Sequence, residues 1–198
     1  MSENKRVLWR AGTLLAPVPA ALVSCGPLSR PNALTVGWTG IICSDPAMTY
    51  ISVRPERYSH GLITDSGVFA VNLTTARMAR AVDLCGVKSG RDGDKLKEAG
   101  LHTEPALSIE CPVISESPLA LECRVVKIEP LGSHDMFIAR IEAVNVKEEF
   151  IDKKGRLHME SMGLMAYSHG EYFALGAKCG SFGFSVRKKD TKARGRAR

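Results

Sequence analysis

Two glycines interrupt the most strand-like stretch of the chain, and nothing else constrains its fold as tightly. Residues 33–43 are apolar and β-branched but carry Gly37 and Gly40. Glycine inside a strand marks a bulge or a place where something approaches the backbone closely. Asp45-Pro46 is a turn signal, and residues 48–53 (MTYISV) read as a second strand. Pro55 cannot continue a central strand but fits a helix start. A helix N-terminus offers unpaired N–H groups and the positive end of the dipole, so it attracts anions. Arg54, Arg57, Tyr58 and Ser59 add two fixed cations and two hydroxyls there. That set suits a phosphate monoester. The alternative is a solvated strand end whose arginines pair with carboxylates.

The rest of the chain is organised around that stretch. Residues 18–24 read as a first strand, and 25–31 (CGPLSRP) as a turn-rich loop. A helix over 58–66 ends at Gly67, and 68–73 (VFAVNL) is a continuous apolar strand. Met78, Ala81, Val82 and Cys85 recur at helical spacing, which predicts an amphipathic helix over 74–85 stopped by Gly86. Residues 87–94 (VKSGRDGD) form a loop in which Lys88, Ser89 and Arg91 either bind phosphate or simply face water. A short helix over 94–100 follows. Residues 119–128 and 136–146 predict a long β-hairpin turning at 132–135. Residues 164–167 and 172–175 flank the turn Ser168-His169-Gly170-Glu171. Many strands with few short helices point to an antiparallel barrel with peripheral helices.

Charge adds little about the body. The net +6 resides in residues 187–198, with seven Lys/Arg against one Asp, so the other 20 basic and 20 acidic residues balance. This basic tail cannot bury itself and reads as disordered and solubilising. Nucleic-acid contact through it is the less favoured alternative. The domain organisation is then a polar lead-in over 1–10, one domain over 11–186 and the tail. Six scattered cysteines form no CxxC pair and no metal-ligand spacing, which fits free thiols in a reducing, cytoplasmic setting and no metal site. No HExxH, GxGxxG, phosphate-loop or GxSxG motif is present. Leu22-Val23-Ser24-Cys25 has the form of a lipoprotein cleavage box, but Pro17 and Pro19 break the run before it, and a strand is the better reading. No stretch is long enough for a transmembrane helix.

The ordered segments NALTVGWTG, CSDPAM and SVRPERYS resemble the flavin-reductase-like family of FMN-binding split β-barrels. So do FAVNL, DLCGVKSGRDGDK, ESPLALEC, LGSHDMFIARI and AYSHGEYFALG, over about residues 17–186, and the chain is most similar to the flavoredoxin branch. The resemblance implies a mainly β, Greek-key split barrel and a non-covalent FMN at a homodimer interface. Carried over, Thr35, Gly37, Trp38 and Thr39 run along the flavin ring. Cys43 and Ser44 lie near the ribityl chain, where a thiol is a poorer donor than the family's usual hydroxyl. Arg54, Arg57, Tyr58 and Ser59 take the phosphate, with Lys88, Ser89 and Arg91 beside it. His169 matches a recurring histidine near the flavin face and is the candidate catalytic residue; its alternative, like that of His134, is structural. The activity implied is an NADH- or NADPH-dependent flavin reductase. The alternative is an electron-transfer flavoprotein supplied by a redox protein, with a pyridoxamine-phosphate-type oxidase on the same fold a more distant one.

Overall fold

The computed structural model describes residues 5–187, so the lead-in expected over 1–10 is described only from residue 5, and all of the expected tail but Arg187 lies outside the described residues. The strands are β1 (Val18–Pro19), β2 (Ala21–Cys25), β3 (Asn32–Val36), β4 (Thr39–Ser44), β5 (Ala47–Val53) and β6 (Val68–Asn72). After them come β7 (Thr103–Pro105), β8 (Pro112–Ile114), β9 (Leu119–Pro130), β10 (Asp135–Val146), β11 (Met165–Ser168) and β12 (Glu171–Ala174). Three helices intervene: α1 (Tyr58–Ser66), α2 (Ala79–Val87) and α3 (Lys95–Ala99). No helix among the described residues is long and apolar enough to cross a membrane.

Seven strands form one antiparallel sheet in the order β3-β2-β6-β9-β10-β5-β4. β3 and β4 are neighbours in sequence yet occupy its opposite edges. The link from Val36 to Thr39 reaches at most about 10 Å, whereas seven strands laid flat measure about 29 Å across. The sheet therefore has to curl until its edges approach. Trp38 sits on that link, and its carbonyl accepts a hydrogen bond from the Ser52 N–H at 2.9 Å, one step beyond the Thr39–Ile51 pairing of β4 with β5. No ladder joins β3 to β4 among the described residues, so the barrel is split, as expected. Residues 33–43 are thus two strands and not the single one expected, because Gly37 and Trp38 carry the chain from one edge to the other.

The expected strand over 18–24 also divides. It breaks at Ala20: β1 joins β11 and β12 in a small sheet, and β2 enters the barrel. Every residue of β2 is buried, because both its faces are covered. Ala21, Val23 and Cys25 point into the barrel with Leu34, Ile51, Phe69 and Phe137. Ala20 and Leu22 face the outer layer with Met78, Val82, Cys85 and Leu96. Full burial of Leu22 and Val23 stabilises by about 1.5–3 kcal/mol each before entropy is counted. A third cluster lies under β8, where Val68, Ala70 and Ala120 meet Ile109, Cys111 and Val113; the β7–β8 pair was not foreseen.

Helix α2 starts later than expected and runs through Gly86 to Val87. Gly86 serves close approach rather than termination: a Cβ there would lie 3.3 Å from the Thr35 Cβ on β3. Thr35 Oγ1 donates to the Val82 carbonyl at the same contact. The buried face is the one expected, with Arg77 and Arg80 exposed. The long hairpin forms as β9 and β10, with register shifts at Ile138/Ala139 and Ile141/Ala143 that account for its mixed pattern. All six cysteines are free.

Candidate functional site

The barrel closure, α1, α2 and the segment after α2 converge on two adjoining chambers. The larger, about 500 Å³, is lined by Thr35, Gly37 and Trp38 of the closing link. Val36, Val53, Tyr167 and Tyr172 give it apolar and aromatic walls, and Ser52, Arg54, Arg57, Asp83 and His134 are among its polar points. Gly37 lines it without a side chain, and a Cβ there would make ordinary contact with Val18 at 3.5 Å and Tyr167 at 3.8 Å. The Trp38 ring leans on His134, centroids 4.4 Å apart. Burial, and next the nearby Arg54 guanidinium, hold the His134 imidazole below its ordinary range, so it is neutral at pH 7. Its Nδ1 lies 2.9 Å from the Ser133 hydroxyl. Across the chamber Tyr172 donates to Asp83 at 3.3 Å. Burial and the Asp83 charge push the Tyr172 phenol up to about 12.

The smaller chamber, about 340 Å³, adjoins the first, and Leu34, Arg54 and Arg57 line both. Arg54, Arg57, Lys88, Arg91 and Lys95 face it against one carboxylate, Glu56. Arg54 pairs with Glu56 at 3.6 Å and Lys88 with Glu98. The other three cations bond backbone carbonyls: Arg57 to Gly86 at 3.1 Å, Arg91 to Glu56 at 2.9 Å and Lys95 to Lys88 at 3.1 Å. Burial pulls the Lys95 ammonium below its ordinary range. Helix α1 begins here with no side-chain cap and no acidic residue in its first turn. An uncapped helix start beside three cations without carboxylate partners among the described residues is an electrostatic fit for a phosphate.

One polar atom beside this chamber stands out. Asn32 donates through Nδ2 to Ser59 Oγ at 2.7 Å and to Cys25 Sγ at 3.6 Å. Its Oδ1 is the one buried side-chain polar atom without a partner among the described residues. Leaving such an acceptor unmet costs about 1–3 kcal/mol.

Of the residues singled out from the sequence, Thr35, Gly37, Trp38, Arg54 and Arg57 line the first chamber. Arg54, Arg57, Tyr58, Ser59, Lys88, Ser89 and Arg91 line the second. Thr39, Cys43 and Ser44 line neither: Thr39 donates to the Tyr50 carbonyl at 2.6 Å, and Cys43 points to the Asp45 carbonyl at 3.3 Å. His169 is exposed at the β11–β12 turn, and its neighbour Gly170 reaches the first chamber. Residues not anticipated there are His134, Asp83, Tyr167, Tyr172 and Lys95. Lys95 was hidden by its position in a short helix, and Tyr167 and Tyr172 by their strands.

Together these features define a split β-barrel with two adjoining chambers beside the link between its edges, one walled by aromatic residues and one by cations. Residues 14–176 match the family described as flavin reductase like domain, and the chain belongs to that family. An uncharacterized protein of Pyrococcus abyssi is 30% identical over 136 residues, covering 69% of this chain and 78% of that protein. The flavoredoxin of Desulfovibrio vulgaris (Miyazaki F) has the same fold, with TM-score 0.85, 27% identity and coverage of 92% of this chain and 100% of that one. A flavoredoxin from Methanosarcina acetivorans matches with TM-score 0.81 and 23% identity over 92% of this chain and 100% of that one.

Proposed function

We propose that this chain binds one FMN without a covalent bond and acts as an oxidoreductase, passing electrons from NADH or NADPH to an acceptor. The observation that carries this reading is that Arg54 and Arg57 line both chambers, which places an aromatic-walled cavity beside a cationic one. A planar ring matches the aromatic end and a phosphate monoester the cationic end. The bound flavin supplies hydride and electron transfer. Arg57, Arg91, Lys95 and the start of α1 hold the phosphate. Gly37 lets main-chain groups reach the ring, and Trp38 walls it. His134, neutral and facing the larger chamber, is placed to orient an incoming nicotinamide, a role the sequence suggested instead for His169. The free thiols support a reducing, cytoplasmic compartment.

A two-fold pair is part of the proposal. β4 is a sheet edge that exposes Ile41 and Ile42, and bare apolar edges call for cover. Thr39, Cys43 and Ser44 on that strand then belong to the surface between two chains.

A second reading, supported by the near-complete overlay on flavoredoxin, is an electron-transfer flavoprotein charged by a redox protein. Absorption spectra taken anaerobically separate the two. Bleaching of the flavin band by NADH or NADPH supports the reductase. Bleaching by a reduced ferredoxin-type donor alone supports the carrier. A protein that neither takes up FMN nor quenches its fluorescence refutes both.

A further inference from the structure

We propose that residues 88–93, the strap joining α2 to α3, are a gate that shuts on the flavin phosphate, with Gly90 as the residue that lets it seat. The inference rests on the FMN reading above. The strap forms one wall of the cationic chamber through Lys88, Ser89 and Arg91, opposite the start of α1. It is fastened from outside the core. Arg91 donates to the Glu56 carbonyl at 2.9 Å, and its guanidinium lies 5.8 Å from the centre of the Tyr58 ring. At the middle of the strap Gly90 presses on the body of the protein. A Cβ there would stand 2.3 Å from Asn32 Oδ1 and 2.9 Å from Tyr58 Cδ1, so no other residue fits the shut position without displacement.

The shut strap leaves Asn32 Oδ1 buried and without a donor. Closure therefore carries a cost that its own contacts do not remove. An anion bonded to Arg57, Arg91 and Lys95 offsets that cost and draws the strap down. A flavin without phosphate makes none of those bonds and leaves the strap free to open. The device thus retains the phosphorylated flavin as a resident group and lets its dephosphorylated form exchange.

Release of FMN and of riboflavin, followed by recovery of fluorescence after dilution, tests this in the full-length protein and in Gly90→Ala. Expected is FMN release at least about tenfold faster in the variant, the loss of one good interaction with a charged group, with riboflavin release unchanged. Equal changes for both ligands, or no change for FMN, overturn the gate while leaving FMN binding intact. Hydrogen exchange of the unaltered protein covers the case of a variant that does not fold. FMN has to slow exchange across residues 88–93 more than riboflavin does, and equal protection refutes the proposal. Absence of FMN binding altogether refutes the underlying functional reading instead.

Discussion

At Arg57 one side chain borders both chambers, and its charge has no carboxylate partner among the described residues. A hydrogen bond from such a group to a phosphate is worth about 1.5–3 kcal/mol. Arg57→Ala is expected to weaken FMN roughly 10- to 100-fold in fluorescence titration and riboflavin hardly at all. Equal losses would place Arg57's effect on the ring or the fold. Glu122 is the opposite case, a carboxylate fully inside the protein. It accepts from the Leu107 N–H at 2.8 Å, the Ser108 N–H at 2.7 Å, the Ser108 hydroxyl at 2.6 Å and Asn145 at 3.2 Å. Burial pushes its carboxyl up, but those donors outweigh burial and hold it below the usual range. A depressed value in the folded state means a contribution present at neutral pH and lost as pH falls through that value. Glu122→Gln turns an amide N–H toward those donors and is expected to cost about 3 kcal/mol at pH 7 by urea unfolding. The gap between variant and parent is expected to shrink in acid. A gap that stays constant down to pH 3 would mean that the fold does not depress the Glu122 carboxyl. Such residues were invisible in the sequence, since a glutamate within ESPLALEC gives no sign of what the loop at 106–111 will bring to it. Arg54 and Arg57 were legible because a proline beside basic residues announces a helix start.

Elements were easier to read than the places where one becomes another. β6, α1 and the β9–β10 hairpin lie where apolar period and turn residues put them. What failed was the break between β3 and β4 and that between β1 and β2, since strand-forming residues continue across both and only the three-dimensional closure divides them. The β11–β12 turn shows what an element demands of a residue. His169 has φ 49° and Gly170 φ 89°, the two positive values of a tight hairpin of the primed type. His169→Asn keeps that conformation and removes the imidazole. His169→Val opposes the conformation and is expected to lower stability by about 1–2 kcal/mol. If His169 serves the turn alone, the Asn variant keeps the NADH-dependent rate and the thermal midpoint, while the Val variant loses midpoint. A rate that falls at least about tenfold in the Asn variant, with an unchanged midpoint, would make His169 catalytic.

At the scale of the whole molecule, Trp38, which lines the larger chamber and is 42% exposed, leads directly into β4, whose Ile41 and Ile42 are exposed. A site completed by a second copy makes FMN a ligand of the pair and not of the single chain, so FMN must strengthen association. Sedimentation at falling concentration is expected to show dimers persisting to lower concentration with FMN than without. A monomer that binds FMN at full affinity would remove the interface from the site. The barrel was legible as a barrel because the strands are many and the helices short, but its closure point was not, since order around a sheet is set by long-range pairing. That closure has a kinetic side. With β3 and β4 tied by two residues at opposite edges, neither edge can be laid down at leisure. β4 pairs locally with β5, and β3 with β2, but the two hairpins cannot both take their places in one sheet until β6, β9 and β10 have bent it round. The search for that bent arrangement, made before its contacts give anything back, places folding on the slow side for a chain of this size, in milliseconds to seconds. Once the ring snaps together, its seams are released together as well.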